Sequence, residues 1–110
     1  MSIPSARRPE PSSTAPRTFI EVIAMEEKIR QLYRLIADMK TEEDCRALFS
    51  DLCTEKEIEK MAERVYAARL LLEGKTYNQV MAQSNISSAT LSRVSRSVQY
   101  GRGYSRFLKK

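Results

Sequence analysis

Residues 76–98, TYNQVMAQSNISSATLSRVSRSV, decide how this chain is read. Thr76 is a helix N-cap by residue type, and Gln79, three positions on, supplies the second half of a capping box. Val80 and Met81 then fall on the inward side of a short helix. Ser84-Asn85 breaks that helix, because Asn tolerates the left-handed conformation a sharp turn needs. Ile86 fills the corner, and Ser87 is placed to cap a second helix by accepting from backbone N–H groups two or three residues later. On the second helix Leu91, Val94 and Val98 recur at i, i+3 and i+7, one apolar stripe. The opposite face carries Ala89, Ser92, Arg93 and Arg96, small or cationic and without a carboxylate. A capped helix, a tight turn and a second helix with a small, basic outer face form the helix-turn-helix pattern.

Charge is distributed as this pattern requires. Residues 1–73 hold 12 basic and 14 acidic side chains, a net of −2, whereas residues 74–110 hold seven basic and none acidic, a net of +7. A positive C-terminal third on a near-neutral scaffold is the electrostatic footprint of a polyanion binder. The 110 residues leave room for one domain with a modest core.

Other classes are disfavoured by residue type. The chain has no His, and Cys45 and Cys53 are too far apart for a CxxC motif, so no metal site and no cofactor are expected. The cysteines read as small apolar groups in a reducing compartment. An enzyme is the weakest class: no glycine-rich phosphate loop is present, and neither cysteine has a base beside it in sequence. No apolar run approaches a membrane span and the N-terminus lacks an apolar signal core, so the expected location is the cytoplasm, on the nucleoid, with no membrane partner.

The scaffold precedes the motif. Residues 1–17, MSIPSARRPEPSSTAPR, hold all four prolines and read as a disordered Pro/Ser/Arg-rich arm whose three arginines are expected to do nothing specific. Thr18, with Glu21 as its box partner, begins a helix expected to reach about Met39, with Ile29, Leu32, Tyr33 and Ile36 on one stripe and Phe19, Ile20 and Ile23 on another face. A helix apolar on more than one side must be covered on more than one side, which calls for a partner chain. Thr41 with Asp44 opens a second helix, whose stripe is Cys45, Leu48, Phe49 and Leu52. Thr54 with Glu57 opens a third, running to Glu73, with Ile58, Met61, Ala62, Val65 and Leu72 as its main stripe and Leu70 and Leu71 widening it. Gly74 is the natural residue to end it with a positive φ. After the motif, residues 99–110 form an extension in which Tyr100 and Tyr104 are expected to pack rather than stack on bases, and Phe107 and Leu108 to dock on the core. The fold class is all-α.

The run ending AARLLLEGK and continuing TYNQVMAQSNISSATLSRVSRSVQYG resembles the Trp repressor superfamily, and within it the small Trp-repressor-related proteins of the YerC/YecD type. The resemblance covers roughly residues 40–104 and is carried by EDCRALFSDLCT, the EGKTY junction and SSATLSRV. It implies a Trp-repressor-like domain over 18–110, an intertwined homodimer built by the helices of 18–73, and operator binding through the helix-turn-helix of 76–98. Relatives often have alanine where Met81 stands and glycine where Asn85 stands; both replacements are compatible with the motif. The resemblance also aligns Arg64 and Arg93 with two arginines that hold tryptophan in the Trp repressor, and Val94 with the glycine that gives the indole room. A β-branched Val94 intrudes on that space, so no response to tryptophan is expected. Arg64 reads instead as an ion-pair partner of Glu59, Glu63 or Glu73.

The chemistry expected of the second helix follows from its residues. Its first turn, Ser88, Ala89 and Thr90, is small enough to enter a major groove, where Ala or Thr meets thymine methyls and the hydroxyls bond base edges or phosphates. Ser92 lies beside Arg93, which either forks onto a guanine or clamps a phosphate. Asn78 and Gln79 are placed for phosphate or edge contacts, although Gln79 is also a cap residue. Arg96, Lys75 and Arg102 would lie along the backbone. The expected partner is a two-fold operator in double-stranded DNA, and the expected function a sequence-specific transcriptional regulator, a repressor by analogy. The alternative is a helical protein-interaction module, or a non-specific DNA binder, using the same basic third.

Overall fold

The computed structural model describes residues 17–108, so all of the proline-rich arm except Arg17 lies outside the described residues, as do Lys109 and Lys110. Every regular element among the described residues is a helix. The chain divides into two compact units between Cys45 and Arg46.

The first unit holds α1 (Phe19–Ala37) and the start of α2 (Glu42–Leu52). Helix α1 opens on the expected box: the Thr18 hydroxyl accepts from the Glu21 N–H at 3.1 Å, and the Glu21 carboxylate accepts from the Thr18 N–H at 2.9 Å. It ends at Ala37, two residues before the Met39 expected from the pattern, with Asp38 as its C-cap. None of its residues is buried; Phe19 is 78% and Ile20 76% exposed, and Tyr33 lies open as well. Helix α2 begins on a modified box. Thr41 accepts from the Asp44 N–H at 3.0 Å, but the Asp44 carboxylate reaches past Thr41 to the N–H of Lys40 at 3.3 Å. Cys45, Leu48 and Phe49 are half-buried, whereas Leu52, assigned to the same stripe, is exposed.

The second unit is organised by α3 (Glu55–Leu72), against which α4 (Tyr77–Gln83), α5 (Ser88–Tyr100) and α6 (Tyr104–Leu108) pack. The Thr54–Glu57 box starts α3 with bonds of 2.8 and 3.1 Å. Its end is a Schellman motif: the Lys75 N–H reaches the Leu70 carbonyl and the Gly74 N–H that of Leu71, both at 3.0 Å, while Gly74 takes φ +94°. That left-handed residue reverses the chain toward α4.

The core consists of Ala67, Ala68, Leu70, Val80, Leu91 and Val94, with Leu71, Met81, Ile86, Val98, Tyr104 and Leu108 packed against it. This corrects the stripe read for α3. Ala62 and Val65 are exposed, and Ile58, Met61 and Leu72 only half-buried, while the buried residues are Ala67, Ala68 and Leu70. A helix apolar around much of its circumference offers several faces to a packing partner. Here the chosen face carries two alanines, whose small side chains let Leu91 and Val94 of α5 approach closely. Leu108 docks as expected, but Phe107 does not: its ring is 75% exposed beneath the Arg106 guanidinium, 5.1 Å from the centroid. Tyr104 packs, and Tyr100, on the open side of α5, remains 81% exposed.

Helix α5 stops at Gly101, whose N–H donates to the Ser97 carbonyl at 2.8 Å. A Cβ on Gly101 would lie 2.6 Å from that same carbonyl oxygen, whereas one on Gly103 would meet nothing within 4 Å. Gly101→Ala is therefore expected to cost about 1–3 kcal/mol through a forced backbone shift, and Gly103→Ala to stay within about 0.5 kcal/mol. Leu91→Ala should cost about 2–5 kcal/mol by leaving a cavity in the core. Urea unfolding checks all three as shifts in midpoint at constant slope.

Candidate nucleic-acid interface

The surface around α4 and α5 is set by short-range chemistry. Thr76 caps α4: its hydroxyl accepts from the Gln79 N–H at 3.1 Å, and its own N–H donates to the Gln79 side-chain oxygen at 2.8 Å. That oxygen is thus committed to the cap, while Asn78 beside it is exposed. The chain leaves α4 through Ser84, extended at φ −122° and ψ 162°, with its hydroxyl donating to the Val80 carbonyl at 2.7 Å. The Asn85 N–H donates to the Glu63 carboxylate of α3 at 3.1 Å. Ile86 sits half-buried in the corner and packs against the core, as its apolar side chain demands.

Ser87 then caps α5, accepting from the Thr90 N–H at 3.2 Å and donating to the Thr90 hydroxyl at 3.0 Å. Thr90 is half-buried, and its hydroxyl accepts from that of Ser87. Leu91 and Val94 point into the core, which forces the remaining residues of the helix outward. Ser88, Ala89, Ser92, Arg93 and Arg96 are all exposed. Lys75, where α3 hands over to α4, is half-buried, and Arg102, beyond the end of α5, is exposed. No carboxylate occurs among the described residues from Gly74 to Leu108. The structure therefore presents Ser88, Ala89, Ser92, Arg93 and Arg96 on one open helix, with Asn78 and Gln79 at the start of its neighbour.

Arg64, Arg93 and Val94 also come together. With Thr90, Ser97 and Tyr104 they line a hollow of about 430 Å³ between α3, α5 and α6. Val94, 2% exposed, lies at its inner wall and belongs to the core. The ion pair expected of Arg64 is not formed: among the described residues it pairs with none of Glu59, Glu63 or Glu73, and Glu63 serves Asn85 instead. Helical geometry explains this. Partners on one helix face lie three or four residues apart, and the residue four before Arg64 is Lys60, a like charge. A second hollow of about 540 Å³, between α3 and the turn that joins α4 to α5, shares Arg64 and Thr90 with the first.

Three participants escape a reading of the sequence. Glu63 reaches across 22 positions to the turn, and Tyr77 donates its hydroxyl to the Ser88 carbonyl at 3.1 Å. Tyr104 lines the Arg64–Arg93 hollow from α6. Tyr77 follows a cap residue and carries a donor long enough to reach the next helix, a weak signal; Glu63 and Tyr104 carry none. Among the described residues no group of His, Cys, Asp and Glu is placed to hold a metal ion, and no helix is long and apolar enough to cross a membrane.

Residues 27–110 match the family of the Trp repressor protein. The uncharacterized protein YerC of Bacillus subtilis (strain 168) is 42% identical over 74 residues, covering 67% of this chain and 71% of YerC. The fold resembles a TrpR like protein from Eubacterium eligens ATCC 27750 with a TM-score of 0.69 and 36% identity, over 73% of this chain and 84% of that one. It also resembles a candidate Trp repressor from Staphylococcus aureus with a TM-score of 0.68 and 34% identity, over 84% of this chain and 92% of that one. The extent of the family match, together with these likenesses in sequence and in helical architecture, makes this chain a member of the Trp repressor family.

Proposed function

We propose that this protein is a sequence-specific double-stranded DNA-binding regulator, a repressor by analogy with its family, that acts as a homodimer through α4 and α5. The observation that carries this reading is the open face of α5. Ser88, Ala89, Ser92, Arg93 and Arg96 are exposed on a helix that buries Leu91 and Val94, in a stretch without a carboxylate from Gly74 onward. Small residues at the N-terminal end let the helix enter a major groove, and its backbone N–H groups favour a phosphate there. Arg93 reads a guanine or clamps a phosphate, and Arg96, Lys75 and Arg102 supply charge along the duplex. Ser88, Ala89 and Ser92 meet base edges; Thr90 contributes by holding the first turn in shape. Asn78 contacts phosphate from α4, with Gln79 restricted to the donor end of its amide because its oxygen serves the cap.

A homodimer is supported by the apolar side chains that α1 leaves open, among them Phe19, Ile20, Ile23, Ile29 and Tyr33. Several large apolar side chains left open along one helix mark an interaction surface. Two copies of α5 related by a two-fold axis then call for a two-fold operator. Tryptophan is not the effector in this reading. Val94 occupies the position where the indole needs a glycine, and it is already packed in the core at the inner wall of the hollow shared by Arg64 and Arg93.

Selection of bound sequences from a random duplex pool tests the function as a whole. It should return a palindromic consensus whose half-site centres lie about 34 Å apart or a multiple of that; a salt-sensitive binder with no consensus would refute it. On the selected duplex, Arg93→Ala should cost about 1–3 kcal/mol, with a narrowed preference lost at a single base pair if the guanine contact is made. Arg96→Ala and Lys75→Ala should weaken binding equally across sequences and reduce the slope of log affinity against log salt by about one. Titration calorimetry with tryptophan should give no binding in the micromolar range; a micromolar isotherm would contradict the role given to Val94.

A further inference from the structure

The apolar contacts of α5, with Ile86 in the turn before it, fix depth and rotation but give the reading end no directional hold. Leu91, Val94 and Val98 pack inward, whereas Ser88 and Ala89, at the end that would meet the bases, are exposed. Hydrophobic burial is non-directional, so it does not by itself stop the first turn from sliding or tilting. Two directional bonds fasten this end from other helices. From α3, the half-buried Glu63 accepts the Asn85 N–H at 3.1 Å; from α4, the Tyr77 hydroxyl donates to the Ser88 carbonyl at 3.1 Å. One holds the turn and the other the first residue of α5, from two different helices.

We infer that Glu63 is a positioning residue for DNA reading: its carboxylate pins the α4–α5 turn to α3 and so sets the pose of the recognition face, with Tyr77 as the second fastening. The inference rests on the DNA-binding reading above. Base discrimination requires side chains held within about 0.5 Å of productive geometry, whereas phosphate attraction tolerates looser placement. Releasing the turn therefore degrades sequence choice before it degrades attraction to DNA. Glu63 also adds a negative charge near the start of α5, so its removal does not weaken the general pull on phosphate. Glutamine keeps one oxygen acceptor at the same reach, exchanges the other for an NH2 donor and loses the charge. Alanine loses both acceptor and charge.

The test compares the full-length parent with Glu63→Ala, Glu63→Gln and Tyr77→Phe, each first shown to melt cooperatively. Amide exchange at Asn85 is followed by NMR without DNA, and affinity is measured for the selected duplex and for a scrambled duplex of the same composition. Glu63→Ala should raise Asn85 exchange roughly tenfold, as expected for release of a bond to a charged acceptor. It should also lower the ratio of the two affinities by about tenfold, while affinity for the scrambled duplex holds or rises. Glu63→Gln should fall between the parent and Glu63→Ala in both readings, and Tyr77→Phe should lower the ratio without accelerating Asn85. The inference is overturned if Glu63→Ala keeps the parent's ratio, if it weakens both duplexes in equal proportion, or if Glu63→Gln behaves as Glu63→Ala does. A parent that does not distinguish the two duplexes refutes the DNA reading instead, and Asn85 exchange still decides whether Glu63 holds the turn.

Discussion

The contact between α5 and the alanine-bearing face of α3 controls everything else in the second unit. Leu91 and Val94 are sealed against Ala67, Ala68 and Leu70, and burying each such side chain is worth roughly 1.5–3 kcal/mol. A helix with its apolar stripe committed in this way has no choice about its other side. Ser88, Ala89, Ser92, Arg93 and Arg96 face solvent because Leu91 and Val94 do not. The chemistry offered to a partner is thus a direct consequence of core packing, and the two alanines of α3 are what make close packing possible.

Around that contact, polar side chains govern the chain's direction. Three full capping boxes start α1, α3 and α4, and the Schellman motif at Gly74 turns the chain from α3 into α4. Each satisfies backbone groups that a helix end leaves unpaired. The short α4 depends on them most: seven residues are too few for a helix to persist in water without caps and packing. Ser87 does the same for α5, with its hydroxyl also bonded to that of Thr90.

Much of this was readable from the residues because it is local. The Thr18, Thr54 and Thr76 boxes and the Gly74 stop each involve neighbours within five positions, and the Leu91–Val94–Val98 stripe fits one period. What was not readable needs distant or degenerate information. Helix α3 is apolar on several sides, so periodicity puts the main stripe on Ile58, Met61, Ala62, Val65 and Leu72 with Leu70 only widening it, whereas the buried face is Ala67, Ala68 and Leu70. Asp44 fits the box pattern, yet its carboxylate bonds one residue earlier, a matter of side-chain geometry. The acceptor of the Asn85 N–H lies 22 residues away, beyond any local rule. Phe107 and Tyr100 read as packing residues from their aromatic character, but both lie on open faces. At the site, the open residues of α5 were legible, whereas the parts that hold them in place were not.

The central claim is that the outward side of α5 is a DNA-reading surface, and amide chemical-shift mapping tests it most directly. The isotopically labelled protein is titrated with its selected duplex, and the perturbed residues are located. The largest changes should fall on Ser88, Ala89, Ser92, Arg93 and Arg96, with Leu91 and Val94 shifting less. Changes confined to α1 and α2, or none at a saturating amount of duplex, would contradict the claim.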